Sequence, residues 1–138
     1  MPTGRFWLKS DPARYDVLPR LVQSVLRPSG NWVEDEVLDR CHLAVHELLV
    51  NVTRHAYRGR TGLIDLQISI GPRSLLVSVY DEGMPFDGDL DREFPAEPSV
   101  AGYGLPLVRS LADDVRYART GVENHWQLEF LRHPRMEP

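Results

Sequence analysis

The chain is poor in features that mark several classes of protein. Cys41 is its only cysteine in 138 residues, so neither an intrachain disulfide nor a cysteine-based metal site can form. No stretch reaches the roughly 18 consecutive apolar residues that a membrane-spanning helix needs. The N-terminal MPTGRFWLKSDPARYD is charged early and lacks an apolar core, so no signal peptide is expected. Basic charge is not in excess: 16 Lys and Arg face 20 Asp and Glu, for a net charge of −4. A nucleic-acid footprint is usually basic, so nucleic acid is excluded as the expected partner. No fixed repeat and no low-complexity tract is present. What remains is an ordinary globular composition, 42% hydrophobic and 26% charged. One cytoplasmic domain over residues 1–138 is the expectation.

Secondary structure is legible from periodicity. GRFWLKS (4–10) reads as a first strand. Asp11 as N-cap and Pro12 at the first helical position open a helix, with Val17, Leu18, Leu21, Val22, Val25 and Leu26 at helical spacing. Pro19 predicts a late start or a kink, and Pro28 with Gly30 predicts the stop. A longer helix is expected over about 33–57, ending at Gly59. Residues 61–83 alternate on both sides of Gly71-Pro72, a hairpin signature. Residues 82–103 are rich in proline, glycine and acid, and form a long loop of the functional kind. A short helix follows from about Gly104 to Leu111. DDVRYART and NHWQLEFLR read as two closing strands, and the last residues, 132–138, as a frayed tail. The order β-α-α-β-β-loop-α-β-β predicts an α+β two-layer sandwich, with helices on one face of a mixed, mostly antiparallel sheet.

Three motifs carry candidate chemistry. In HLAVHELLVNVTRHAY (42–57), Glu47, Asn51 and His55 recur at a spacing of four, with Arg54 beside the last, which stacks them on one helix side. A solvated face is the bland explanation. The apolar remainder of the helix favours a lined cleft instead, in which a carboxylate can act as a general base. Asp81-Glu82-Gly83 follows a strand; such a triplet is usually a turn, but its carboxylate can accept a hydrogen bond from an exocyclic amine. Ala101-Gly102-Tyr103-Gly104-Leu105 precedes a helix start, where free amides and the helix dipole favour an anion. The glycines match neither the Walker A pattern nor the dinucleotide fingerprint. The other histidines, the tryptophans and the acids from Asp87 to Glu97 read as structural or solvated groups.

ExxxNxxxHAY, DEGxPFD and GxGLxLVRSLxDxVxY, in that order, resemble the N, G1 and G2 boxes of the GHKL ATPase superfamily. Within it, the chain is similar to stand-alone anti-sigma-factor serine kinases of the RsbW type, over nearly its whole length. The resemblance implies the Bergerat α/β sandwich. It implies that Glu47 is the general base, and that Asn51 ligates magnesium bridging the ATP phosphates. Arg54 and His55 would lie near the phosphates, with Tyr57 in a packing or lid contact. Asp81 would bind the adenine amino group and Gly83 would give the ring room. Gly102 and Gly104, with Tyr103 and Leu105, would wrap the phosphates under a lid of residues 84–101. Relatives often place a threonine near adenine in a Gly-Thr pair. Here the stretch is Gly121-Val122-Glu123-Asn124, so that Asn124 or a water would take the contact.

By the same resemblance, the cofactors are ATP and Mg2+. The substrate is a serine or threonine of an anti-anti-sigma (STAS) protein, and the second partner is a sigma factor held inactive; the protein is a homodimer. A module of the same fold that binds nucleotide and partner without transferring phosphate is the alternative. A detached sensor-kinase domain is a weaker one, since a phosphorylatable histidine segment and a dimerisation helix pair have no room in the chain.

Overall fold

The computed structural model describes residues 2–58, 60–86 and 104–132. Five strands form one antiparallel sheet in the order β1-β2-β3-β5-β4. They are β1 (Thr3–Lys9), β2 (Leu63–Ile70), β3 (Ser74–Asp81), β4 (Asp114–Thr120) and β5 (Glu123–Leu131). Three α-helices are described: α1 (Leu18–Ser29), α2 (Asp35–Asn51) and α3 (Gly104–Leu111). This is the α+β sandwich expected, with every strand pair antiparallel.

The sheet is two-faced because its strands alternate. Ile64, Leu66, Ile68 and Ile70 of β2, Leu75, Val77 and Val79 of β3, and Trp126, Leu128 and Phe130 of β5 are buried in one cluster with the helices. Their neighbours in sequence point the other way, where no described helix covers the sheet. On that open face Arg5 donates to both carboxylate oxygens of Asp65, at 3.1 and 2.8 Å. It also lies over the Trp7 ring, 4.8 Å from the centroid. Cross-strand pairs of this kind stabilise the uncovered side of a sheet.

Prolines and glycines set the helix limits. Asp11 caps a 3-10 turn over Pro12–Val17, accepting from the amide of Ala13. Pro19 therefore falls in the first turn of α1, where its missing donor costs nothing; the helix starts late rather than kinking. Pro28 is accommodated inside α1, and Gly30 closes it in the left-handed region at φ 69°. Residues Leu18, Val22, Val25 and Leu26 of α1 are buried. The helix lies so close to β1 that a Cβ on Gly4 would come within 2.6 Å of Val25.

The second helix is shorter than its periodicity suggests. It runs as an α-helix from Asp35 to Asn51 and continues as a π turn over Val52–Ala56. The Tyr57 amide reaches back five residues to the Val52 carbonyl, at 3.1 Å. Within this turn the Thr53 hydroxyl donates to the Leu49 carbonyl and also bonds the Tyr15 hydroxyl. The buried face of α2 is Val37, Leu38, Cys41, Ala44, Val45, Leu48 and Leu49. Leu43, off that face, is 46% exposed. Burial raises the Cys41 thiol pKa to about 12, so it packs as a small inert hydrophobe.

Arg132 is anchored rather than frayed. Its guanidinium donates to the carbonyls of Trp32 and Gly71 and to Asn31. The rest of the expected tail, and lid residues 87–101, lie outside the described residues. Among the described residues no helix is long and apolar enough to cross a membrane.

Candidate functional site

Asp81 ends β3, and the alternation that buries Leu75, Val77 and Val79 also turns its carboxylate inward. The residue is 2% exposed. Register places it opposite Asn124 of β5, and this pairing builds the corner. Asn124 donates to Asp81 Oδ1 at 2.7 Å and to the carbonyl of Met84 at 2.9 Å. Its own oxygen accepts from the Tyr117 hydroxyl and from Arg119. Arg119 also donates to the Gly83 carbonyl at 2.9 Å. The Gly83 amide completes the set with a 2.9 Å bond to Asp81 Oδ1.

All this leaves Asp81 Oδ2 buried with no hydrogen-bond partner among the described residues. A buried carboxylate oxygen without a donor is costly. Desolvation by burial accordingly raises the Asp81 pKa, against the lowering effect of Asn124, the Gly83 amide and Arg119. The corner is built to receive one more N–H or O–H donor, and an exocyclic amine on a flat ring has that chemistry.

Gly83 has a packing reason to be glycine. An added Cβ would lie 2.6 Å from the carbonyl carbon and oxygen of Ala56, and the Met84 amide donates to that same oxygen. Tyr57 pins the same junction: its hydroxyl donates to the Leu63 carbonyl at 2.6 Å and accepts from the Glu82 amide at 3.1 Å. The strand-end turn and the end of α2 are thus one unit. Phe86 continues it, its amide donating to Tyr117 and its ring edge-on to Trp126.

The α2 stripe is built differently. Glu47 and Asn51 are half-buried, and neither side chain has a hydrogen bond or ion pair to a described residue. They stand one α-helical turn apart on one side. The stripe does not continue unchanged to His55. In a π turn the backbone hydrogen bond reaches back five residues rather than four, so the α-helical spacing of the stripe does not carry through to Arg54 and His55. Both are exposed, and Arg54 lines a separate cleft with Lys9, Arg14 and Arg58.

Of the glycine-rich segment, Gly104 is the first residue of α3. Leu105 is partly buried and packs against the core. Gly102 and Tyr103 lie outside the described residues. Among the described residues no group of three or more His, Cys, Asp or Glu could hold a metal ion. An ion beside Asn51 would need other ligands from a bound polyanion. The unpartnered oxygen of Asp81 and the free side chains of Glu47 and Asn51 fit a nucleotide with its cation. Sequence reasoning singled out Asp81 and Asn124, quoted Tyr117 only as the last residue of the third motif without a role, and missed Arg119; these two side chains hold Asn124. The signal for Arg119 was no more than a basic residue near the turn.

Comparison with known proteins identifies a family and a fold. The family described as histidine kinase-like ATPase domain matches residues 8–130. The serine-protein kinase RsbW of Bacillus thuringiensis is 27% identical over 113 residues, spanning 75% of this chain and 70% of that protein. RsbW of Bacillus cereus gives the same figures. Among solved structures, the RsbU and RsbW domains of a Mycobacterium tuberculosis protein superpose with a TM-score of 0.63 at 16% identity. That match covers 100% of this chain and 35% of the other, so the chain spans about a third of that protein's length. The histidine kinase domain of an Erythrobacter litoralis blue-light-activated kinase gives 0.55 at 23% identity, covering 86% of this chain and 60% of that one. At such identities the structural matches speak to fold alone.

Proposed function

Since the chain belongs to the histidine kinase-like ATPase domain family, we propose that it is an ATP-dependent protein serine/threonine kinase of the anti-sigma-factor type. The observation that supports the reading is the buried, unpartnered Oδ2 of Asp81, an acceptor that an adenine amino group would satisfy. The similarity to proteins named serine-protein kinase supports serine as the acceptor.

When bound, ATP supplies the γ-phosphoryl group and Mg2+ the charge neutralisation that such transfers depend on. The residues of the chain do the rest. Asp81 orients the base, and Asn124 fixes Asp81 by holding its other oxygen. Asn51 offers an amide oxygen to the cation. Glu47, free of other partners, accepts the proton of the attacking hydroxyl or orients it. Gly102, Tyr103, Gly104 and Leu105 would contact the phosphates through their backbone, and His55 would lie at the edge of the same site. The acceptor is a serine or threonine of an anti-anti-sigma (STAS) protein, and the second partner is a sigma factor, or an analogous target, held by a cytoplasmic homodimer.

Calorimetric titration with ATP, with and without magnesium, tests the site first. Magnesium-dependent binding that survives Glu47→Ala supports it, together with loss of phosphoryl transfer to the partner in that variant. Binding with no transfer to the true partner would leave a nucleotide-dependent binding module. The absence of binding in every condition would refute the nucleotide site.

A further inference from the structure

A second cleft lies behind the π turn, between the β1–α1 connection and the end of α2. Its volume is about 800 Å³, and Lys9, Arg14, Arg54, Arg58 and Asp11 stand on its walls. Four cations thus meet one carboxylate in a chain whose net charge is −4. That carboxylate is partly committed, since it caps the Ala13 amide and lies 4.0 Å from Arg14. Lys9, Arg54 and Arg58 have no ion pair or hydrogen bond from their side chains among the described residues. Like charges gathered without counter-charges repel one another, so the arrangement favours an anion from outside.

The backbone contributes to this gathering. Arg54 sits inside the π turn, and Arg58 is the one non-glycine with positive φ, at 51°, among the described residues. Local distortions of both kinds concentrate at functional positions. Here they set two arginines opposite Lys9 and Arg14. The remaining lining narrows the ligand class. The Ser10 hydroxyl is already bonded to Arg60 and Gly62, and Thr53 to Leu49 and Tyr15, so these hydroxyls are not free to bind. Pro12 and Val50 are the only apolar walls and no aromatic face is present, so a base or sugar ring has nothing to stack on. The cations are exposed and come from two separate segments of the chain, on either side of a cleft of about 800 Å³. That suits several dispersed carboxylates better than one compact phosphate, and arginine pairs well with each.

We propose that this cleft is a docking site for an acidic segment of a partner protein, one turn of helix beyond Asn51. It rests on the kinase reading only in making that partner the kinase's own. The test titrates the full chain, without nucleotide, with a fluorescein-labelled Gly-Glu-Gly-Glu-Gly-Glu peptide and its glutamine counterpart. The glutamate peptide should bind with an affinity that falls as salt rises, and the glutamine peptide should not bind. Lys9→Glu with Arg14→Glu should weaken binding at least tenfold and leave ATP affinity and the urea midpoint unchanged. Should that double reversal fail to fold, Lys9→Gln and Arg14→Gln singly should each weaken binding about threefold. Equal binding by parent and variants would overturn the proposal. Tighter binding of a phosphoserine-bearing glutamine peptide, or of a single-stranded oligonucleotide, would also overturn it, in favour of a phosphate ligand. Failure of ATP to bind the parent would sink the kinase reading without touching the peptide result. Retained ATP binding without peptide binding would sink the cleft alone.

Discussion

Asp81 and Glu47 are both carboxylates assigned to one site, and their surroundings are opposite. Asp81 is held at a strand end by Asn124 and the Gly83 amide, and Asn124 is held in turn by Tyr117 and Arg119. Glu47 is half-buried on a helix with no polar partner among the described residues. Recognition of a base needs an acceptor fixed before the ligand arrives. A proton acceptor needs an oxygen that nothing else has claimed. The strand corner should therefore govern fold and selectivity, while the helix stripe should govern chemistry alone.

The largest expected effect falls on the stripe. Glu47→Gln should lower phosphoryl transfer by about 10²–10⁴-fold while leaving the unfolding midpoint unchanged. Single-turnover transfer and urea denaturation of the same sample measure both. A stability loss as large as the rate loss would make Glu47 a structural residue and dissolve the contrast. On the corner, Asn124→Ala should cost about 3 kcal/mol of stability, because it strips buried partners from Asp81, Tyr117 and Arg119 together. A loss below about 1 kcal/mol in urea melts would show that the network is not what fixes the carboxylate.

Asp81→Asn should keep the fold, since the oxygen that accepts from Asn124 and Gly83 is retained. It should cut the preference for ATP over GTP about tenfold, near 1.4 kcal/mol. Burial raises the Asp81 pKa above its ordinary 3.8, and the charged form is the acceptor. Binding should thus be present above that raised pKa and decline as pH falls through it, whereas the asparagine variant should be flat there. The stability term has the opposite sign. The native state holds this proton more tightly than the unfolded chain, so the contribution is full below pH 3.8 and is lost as pH rises through the native value. Acid titrations of parent and variant that coincide would remove Asp81 from the binding site. The smallest effect is expected at the junction of the two regions. Tyr57→Phe loses the bonds to Leu63 and Glu82 and should cost about 1 kcal/mol, with transfer unchanged at saturating ATP.

Much of this was legible in the chain itself. The two-periodicity of residues 63–81 and 123–131 gave the strands and their buried faces, because alternation is a local property of extended backbone. Asp11, Pro19 and Gly30 marked the first helix by capping and ring chemistry alone. The order of the three motifs pointed to Glu47, Asn51 and Asp81. The π turn was hidden, because an α-helical spacing of four was the natural extrapolation through Thr53, Arg54 and His55. Within it Thr53 bonds Tyr15 from another segment, a contact that no local pattern reports.

The sequence by itself determined the sandwich, the strands' inward faces and the positions of the polar groups along α2, all of which follow from periodicity and caps. Only the tertiary structure decided which of those groups are satisfied. Register across β3 and β5 set Asn124 against one oxygen of Asp81 and left the other without a donor. The meeting of the β1–α1 connection with a distorted helix end gathered Lys9, Arg14, Arg54 and Arg58. Partnership between side chains more than 40 positions apart, as for Asp81 and Asn124, depends on how the strands pair, and that is settled only when the whole sheet has formed.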